Sequence, residues 1–291
     1  MKALIFGIRG QDGFYLNRLL RDKNIEVIGT SRTGNDVNGN VAHYKFVESI
    51  IKIHQPDYVF HFAANSTTNH YALFENHETI STGTLNILEA VRLHCPNARV
   101  FLSGSAMQFL NIGIPINELT PFEASSPYSF SRIQSVYAGR YFRDKFGLKV
   151  YVGYFFNHDS PLRGENHVNQ KIVKAVRRIS KGSNEILKLG DLNVKKEFGF
   201  AGDTIEATWT LVNQDIIFEA VIGTGKAYSI KDWTIACFDQ AGIDWKKHVV
   251  PDPCFIPQYE ILISQPNIIN NLGWKPKVDF KKLMELMMLT N

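Results

Sequence analysis

Cysteine is scarce in this chain of 291 residues, which has three, Cys95, Cys237 and Cys254. The number is odd and no two of them have C-x-x-C spacing, which argues against a disulfide framework and a cysteine-ligated zinc site. The nine histidines form no H-E-x-x-H pattern. We therefore expect no bound metal and a reducing, cytoplasmic location.

The sequence also lacks long apolar runs and a dominant charge. No apolar run approaches the ~20 residues of a membrane span, and the apolar opening of the chain is too short for a signal peptide. Thirty-two basic residues against 28 acidic ones give a net charge of +4. The basic residues are scattered, apart from clusters at 171–181 and 195–196. We expect no membrane and no nucleic-acid partner, and these clusters favour a local anionic ligand.

Apolar stretches that alternate with amphipathic ones fill the first half of the chain. They predict strands at 2–6, 26–30, 57–62, 99–102 and 149–154, with helices at 14–23, 47–54, 79–94 and 127–146. This alternation is typical of an α/β fold with a doubly wound parallel sheet. After residue 156 the pattern is mixed, with helices predicted at 168–180, 230–241 and 280–288 and a strand at 220–224.

A glycine-rich turn follows the first predicted strand and reads Gly7-Ile8-Arg9-Gly10-Gln11-Asp12-Gly13. Glycines permit a tight turn, and the helix that follows leaves its N-terminus free for a pyrophosphate. We therefore expect Gly7, Gly10, Gln11, Asp12 and Gly13 to bind a dinucleotide. The alternative is an ordinary connection between a strand and a helix.

The end of the second strand indicates which nicotinamide cofactor is bound. An acidic residue there binds the ribose of NAD, whereas an arginine accommodates the extra phosphate of NADP. The chain has Thr30-Ser31-Arg32-Thr33 and no acid until Asp36. Arg32 therefore favours NADP(H), unless it is simply a solvated loop residue.

The stretch Ser126-Pro127-Tyr128-Ser129-Phe130-Ser131-Arg132 begins the long predicted helix. Tyr128 and Arg132 lie one helical turn apart, on the same face. A nearby positive charge favours the phenolate form of a tyrosine and makes it a better proton-transfer group. The alternative is an amphipathic helix with one solvated arginine.

These segments together resemble the extended short-chain dehydrogenases/reductases that modify nucleotide sugars, in particular the GDP-mannose 4,6-dehydratase group. The resemblance runs nearly end to end. Besides the glycine turn and Ser126-Pro127-Tyr128, it rests on Phe62-Ala63-Ala64-Asn65-Ser66, Phe156-Asn157-His158-Asp159-Ser160-Pro161-Leu162-Arg163-Gly164-Glu165, Leu189-Gly190-Asp191-Leu192-Asn193 and Leu272-Gly273-Trp274-Lys275-Pro276.

The resemblance implies a Rossmann domain, a smaller C-terminal domain and a catalytic set of Ser/Thr, Tyr and Lys. Ser105 and Tyr128 occupy the first two positions, and Arg132 replaces the lysine. Ala63 and Ala64 fall among the cofactor-binding positions, as do Tyr128 and Arg132 themselves. A glutamate that helps to expel water from the sugar corresponds to Met107, which cannot transfer a proton. Glu118 and Glu123 are the candidates to substitute for it.

On the substrate side, the resemblance implies contacts to the nucleotide sugar from six positions. They are Ser66, Ser105, Asn157, Val168, Lys171 and Lys196. Lys196 stands where the family has a phosphate-binding arginine, and Ile256 lies close to the place of a second one. Alternatively, Lys171 and Lys196 are surface lysines.

We therefore expect an NADP-binding Rossmann domain over residues 1–156, to which about 198–225 return, and a nucleotide-sugar domain over 157–291. The predicted activity is NADPH-dependent reduction of a 4-keto nucleotide sugar, GDP-linked by resemblance, in deoxysugar or polysaccharide biosynthesis. One alternative is a 4,6-dehydratase or epimerase that recycles its cofactor. Another is a non-catalytic cofactor-binding homologue. The resemblance also implies a homo-oligomer, a dimer or tetramer.

Overall fold

A seven-stranded parallel sheet is the centre of the computed structural model, which describes residues 1–289. Its strands are β1 (Lys2–Phe6), β2 (Glu26–Ser31), β3 (Val37–Asn38), β4 (Tyr58–His61), β5 (Arg99–Ser105), β6 (Lys149–Phe155) and β7 (Glu219–Ile222). They lie in the order β7-β6-β5-β4-β1-β2-β3, and every neighbouring pair is parallel. The strand order reverses direction at β1, where open α/β sheets bind their ligands.

The helices cover both faces of this sheet and form the smaller C-terminal part. They are α1 (Gln11–Asp22), α2 (Tyr44–His54), α3 (Leu73–Asn76), α4 (Gly83–His94), α5 (Pro127–Phe146), α6 (Val168–Ile179), α7 (Ala201–Val212), α8 (Ile230–Gln240), α9 (Asn267–Asn271) and α10 (Phe280–Leu289). A π-helical stretch, His77–Thr82, leads into α4, and 3-10 turns lie at His70–Ala72, Ala106–Gln108 and Trp245–Lys247.

Three apolar clusters hold these layers together. One lies between the sheet and α2, α4 and α5, and a second lies between the opposite face and α1 and α7. The third joins α6, α8 and α10, where the fully buried Trp233 stacks on Phe198 with ring centroids 5.0 Å apart. Burial of such large aromatic side chains makes this third cluster a hydrophobic core of its own.

Short strands complete the C-terminal part in three small sheets. They pair His158–Asp159 with Gly199–Phe200, Leu187–Leu189 with Val249–Pro251, and Lys195–Glu197 with both Ala227–Ser229 and Ile261–Leu262. The fold class predicted from the sequence is therefore confirmed. The predicted domain boundaries stay a prediction, although β7 does join the large sheet beside β6.

Some sequence-based boundaries were wrong. Helix α1 begins at Gln11 and not at residue 14, so the first helical turn belongs to the glycine motif. Helix α7 was not predicted at all, because Thr204, Thr208 and Thr210 lower its intrinsic helix propensity. Packing of its buried face against the sheet outweighs that preference. The short edge strand β3 was also missed, because none of the predicted strands covers residues 37–38.

Candidate active site

A cavity of about 390 Å³ lies at the carboxyl ends of the central strands. Segments that follow β1, β4, β5 and β6 all contribute to its wall, as does the first turn of α5. Most of the predicted site residues line it together: Gly10, Gln11, Asp12, Gly13, Ala64, Ser66, Ser105, Tyr128, Arg132 and Asn157. The fold therefore brings the predicted cofactor turn and the predicted proton-transfer residue to one opening.

The glycine turn is built so that only glycine fits at two of its positions. Gly7 has a φ of +93°, and a Cβ added there would lie 2.7 Å from the backbone nitrogen of Ala63. A Cβ on Gly13 would lie 2.4 Å from the carbonyl oxygen of Gly7. Gly10 caps α1 without any side chain, so the first N–H groups of the helix face the cavity unpaired. This cradle fits a dinucleotide pyrophosphate.

A smaller cavity of about 180 Å³ adjoins the other side of the turn. Gly7, Arg32, Ala63 and Ala64 line it. Their contacts to a cofactor stay predictions. Arg32 is 65% exposed and its Nη1 lies 3.0 Å from Oε1 of Glu75, so in this structure the guanidinium is paired with a carboxylate. Arg9 also lines the cavity, and sequence reasoning missed it because the G-x-x-G-x-x-G pattern specifies no residue type at its position.

Asp12 and His158 join the glycine turn to the loop after β6. Oδ1 of Asp12 and Nε2 of His158 are 2.9 Å apart. Burial raises the pKa of Asp12, but His158 and Arg163 outweigh it and hold this pKa below its ordinary value. Burial lowers the pKa of His158, but Asp12 outweighs it and leaves this pKa raised. The two groups therefore stabilise each other as an ion pair.

Ser105 is the last residue of β5 and is fixed by the turn that follows. Its backbone N–H donates to Oε1 of Gln108 at 2.9 Å, and its Oγ accepts from the backbone N–H of Met107 at 3.2 Å. The Ser105 hydroxyl accepts a hydrogen bond from the protein, so its own proton stays available for donation to a substrate oxygen.

Tyr128 lies in the first turn of α5, where a capping box fixes the backbone. Oγ of Ser126 accepts from the N–H of Ser129 at 3.1 Å, and Pro127 occupies the first helical position. The guanidinium carbon of Arg132 lies 5.1 Å from the ring centroid of Tyr128. The positive charge of Arg132 is therefore held against the face of the tyrosine ring.

The arginine at the usual lysine position has partners of its own. Arg132 is 4% exposed, and its Nη1 donates to the carbonyl oxygen of Ser103 and, at 2.8 Å, to the Ser103 Oγ. His61 lies behind them, and burial together with the Arg132 charge lowers the pKa of His61 to about 3. His61 is therefore neutral, and Arg132 is the cation of this buried group.

No acid that sequence reasoning considered replaces the family glutamate beside Ser105. Met107 lines the cavity. Glu118 does not line the cavity, and its Oε1 accepts a hydrogen bond from the backbone N–H of Val221 at 2.7 Å. Glu123 lies in a neighbouring cavity that shares Met107 as a wall.

Three of the predicted substrate residues do not line the cavity. Val168 begins α6 and packs against the third apolar cluster, and Nζ of Lys171 donates to the carbonyl oxygen of Lys188 at 2.7 Å. Lys196 is 8% exposed, and its burial lowers its pKa to about 8. Their contacts to a substrate stay predictions.

The lining of the cavity also includes residues that were not predicted, two of which carry chargeable groups close to each other. Arg163 and His167 both line it, and Arg163 Nε lies 3.2 Å from Oδ1 of Asp159. Burial and the Arg163 charge lower the pKa of His167 to about 4. Arg163 could have been found, because it belongs to the loop motif that carries the family resemblance. Asn157, which was predicted, has a buried Oδ1 without a hydrogen-bond partner in the structure described.

The sequence profile of the GDP-mannose 4,6 dehydratase family matches residues 35–287 of the chain. The chain belongs to this family. An Arabidopsis thaliana protein named GDP-mannose 4,6 dehydratase 1 is 34% identical over 98% of this chain and 88% of its own length. A human protein named GDP-mannose 4,6 dehydratase is 30% identical over 98% of this chain and 90% of its own length. The resemblance expected from the motifs is therefore confirmed.

Solved structures share the same fold. A dTDP-glucose 4,6-dehydratase from Bacillus anthracis, in complex with NAD, covers 99% of this chain and 95% of its own with a TM-score of 0.87 and 18% identity. A Pseudomonas aeruginosa protein named RMD, complexed with NADPH, covers 99% and 97% with a TM-score of 0.87 and 18% identity. At this level of identity the likeness concerns the fold alone.

No helix within residues 1–289 is long and apolar enough to cross a membrane. Over the same residues, no three His, Cys, Asp or Glu side chains are grouped to hold a metal ion.

Proposed function

We propose that the protein oxidises and reduces a GDP-linked sugar at a ring hydroxyl, with a nicotinamide cofactor that is regenerated in each turnover. This is the reaction class of the family's dehydratases and of related epimerases. Family membership and relatives named GDP-mannose 4,6 dehydratase support it. They favour this alternative over the net reduction that the sequence reasoning ranked first.

The observation that carries the proposal is the shared cavity of the glycine turn, Ser105 and Tyr128. A bound nicotinamide supplies hydride exchange with the sugar carbon. Tyr128 takes the proton from the hydroxyl oxygen as that carbon is oxidised, and it gives a proton back to this oxygen where the keto group is reduced again, as in epimerisation. Ser105 donates a hydrogen bond to the same oxygen. Arg132 holds a fixed positive charge against the Tyr128 ring throughout the cycle.

Net reduction by NADPH is the second candidate, and Met107 is the observation that favours it. Expulsion of water requires a proton-transfer group beside the sugar, which a thioether cannot be. Epimerisation and reduction require only a hydride and one proton, which the residues of the cavity can exchange. We therefore propose that hydride transfer is retained and that dehydration is slow.

We propose NADP(H) as the cofactor. Arg9 and Arg32 both line the smaller cavity, and β2 ends in Ser31 where an NAD-specific strand would end in an acid. Of the two structural neighbours named above, one is in complex with NAD and the other with NADPH, so the fold accommodates either cofactor. Dissociation constants for the two cofactors test this choice, and tighter binding of NAD would overturn it.

The function is tested by the mass of the product. Purified protein with bound cofactor and GDP-mannose should yield a product that has lost one water or has kept its mass with inverted configuration. The nicotinamide absorbance should show no net change. A 4-keto sugar that gains two hydrogens while NADPH is consumed would instead establish the second candidate.

Tyr128→Phe is the matched variant for this test. We expect turnover to fall by about 10²-fold or more, because the proton-transfer group is lost, while the cofactor dissociation constant stays within a few-fold. No turnover of any GDP-, CDP-, UDP- or dTDP-sugar by the wild-type protein would contradict the proposal and support a non-catalytic role.

We further propose that the protein self-associates and acts in the cytoplasm. Both follow from the family resemblance and from the cysteine usage of the chain. Light scattering on the purified protein tests the first, since a monomer at micromolar concentration would contradict it.

A further inference from the structure

A second cavity, of about 250 Å³, adjoins the candidate active site. The two share Ala106, Met107, Gln258 and Leu262 as a common wall. Met107 therefore stands between them, at the position where the family resemblance implies an acid. A methionine side chain is unbranched and adaptable, so this part of the wall yields to a substituent more easily than a fixed polar group would.

The far wall of this side cavity is polar. Glu123, Ser125 and Tyr259 line it. Within residues 1–289, none of their side-chain oxygens makes a hydrogen bond or ion pair in the structure. Burial raises the pKa of Tyr259 to about 12, which keeps its hydroxyl neutral. The cavity therefore offers one carboxylate and two hydroxyl groups to whatever enters it.

Glu123 is held at a fixed place relative to Ser105. The backbone N–H of Glu123 donates to the carbonyl oxygen of Gln108 at 2.9 Å, and the Gln108 side chain accepts from the N–H of Ser105 at 2.9 Å. One residue, Gln108, thus ties the side cavity to the residue proposed to bind the reacting oxygen. Strand β5 and the following turn position both.

The side cavity is larger than the volume of the hydroxymethyl group that a hexose carries outside its ring. Its volume of about 250 Å³ compares with about 30 Å³ for one water molecule. It therefore has room for a substituent of several non-hydrogen atoms. Glu123 and Ser125 are exposed, and the Glu123 carboxylate has no hydrogen-bond or ion-pair partner within residues 1–289. An unpaired carboxylate favours a substituent that donates hydrogen bonds, because such bonds are stronger when the acceptor is charged.

We propose that the side cavity is a subsite for a hydrogen-bond-donating substituent of the substrate sugar, either an amine or an additional hydroxymethyl group. The inference rests on the proposed function, because it assigns the substrate class of that same site. In the amine case Glu123 forms a charge-assisted hydrogen bond, and in the hydroxymethyl case Ser125 and Tyr259 share the contact.

The test compares three ligands on the protein with bound cofactor. They are GDP-mannose, an analogue whose primary hydroxyl is replaced by an amine, and an analogue lengthened by one hydroxymethyl group. Calorimetry gives the dissociation constants and product analysis gives kcat/KM. We expect one analogue to bind at least about tenfold more tightly than GDP-mannose.

Variants identify the subsite. Glu123→Gln should reduce the preference for the amine analogue over GDP-mannose about tenfold, measured as the ratio of their dissociation constants. Ser125→Trp fills the cavity, so it should raise the dissociation constants of both analogues more than that of GDP-mannose. Glu260→Gln is the matched control, since it removes the same charge next to Tyr259 but lines neither cavity. Glu260→Gln should leave the ratio of each analogue's dissociation constant to that of GDP-mannose unchanged.

Two results overturn the inference, and they are distinguishable. If GDP-mannose is bound and converted but neither analogue is preferred, or if Glu123→Gln weakens all three ligands equally, the subsite is wrong and the proposed function stands. If none of the three ligands binds, both fail.

Discussion

Replacement of His158 by alanine is predicted to destabilise the protein and to weaken cofactor binding. His158 is paired with Asp12, whose carboxylate lies in the first turn of α1. The alanine variant leaves this carboxylate without its cation beside the proposed pyrophosphate site. Two negative groups then lie close together, which raises the dissociation constant of the cofactor.

The size of the stability loss follows from the burial of the pair. The side chains of His158 and Asp12 are 10% and 22% exposed, so the pair is close to a buried one. Removal of one partner from a buried pair costs about 3–5 kcal/mol. Because the pair is partly exposed, we expect a loss at the lower end of this range, about 3 kcal/mol of the free energy of unfolding. With an m-value of about 3 kcal/mol per molar urea, the unfolding midpoint should fall by about 1 M.

The loss should depend on pH in a defined direction. The pKa of His158 is raised by folding, so its contribution is fully present below about pH 6.5, its unfolded value, and is lost as pH rises through the folded pKa. The pKa of Asp12 is lowered, so its contribution is lost only as pH falls through a value below 3.8. The difference between wild type and variant should be largest at about pH 4–6.5 and should shrink towards pH 9.

Urea unfolding at several pH values measures this difference, with His70→Ala as the control. His70 is exposed, and within residues 1–289 its side chain makes no hydrogen bond, ion pair or ring contact. Asp12→Asn completes a double-mutant cycle. If the two single losses add within about 0.5 kcal/mol, the residues do not interact and the reasoning is refuted.

Three further predictions concern cofactor choice, the buried cation and phosphate binding. Glu75→Gln frees Arg32 from its ion pair and should tighten NADP binding several-fold over NAD; an unchanged ratio of dissociation constants would show that Arg32 does not meet the phosphate. Arg132→Lys, which removes the planar guanidinium held against the Tyr128 ring, should lower kcat about tenfold with little change in KM, and an equal rise in KM would indicate a substrate-binding role instead. The dissociation constant of the GDP-sugar should rise as pH passes about 8, where Lys196 loses its proton. Lys196→Arg should abolish that rise, whereas a profile that the variant shares with wild type would exclude Lys196 as the group.

Local signals made much of the fold predictable. The bounds of α5 match the prediction because Ser126 and Pro127 mark its start, and Gly147, with a φ of +70°, marks its end. The threonine-rich α7 carries no such signal, and only its packing against the sheet makes it a helix. Prediction succeeded where a segment specifies its own conformation and failed where tertiary packing decides.

In the candidate site, too, local motifs were predictable and long-range contacts were not. Ser105, Tyr128 and the glycine turn lie in compact motifs, and their convergence follows from the parallel sheet. The pairing of Arg132 with Ser103, 29 residues apart, and of Arg32 with Glu75, 43 residues apart, has no local signature. Such contacts depend on how neighbouring strands and helices align, which the spacing of residues along the chain does not encode.

The most direct test follows the nicotinamide signal after GDP-mannose is mixed rapidly with the cofactor-loaded protein. The proposed function predicts a transient signal of reduced nicotinamide that returns to its starting value as product forms, and its loss in Tyr128→Phe. A steady consumption of added NADPH, or no signal with any nucleotide sugar, would contradict it.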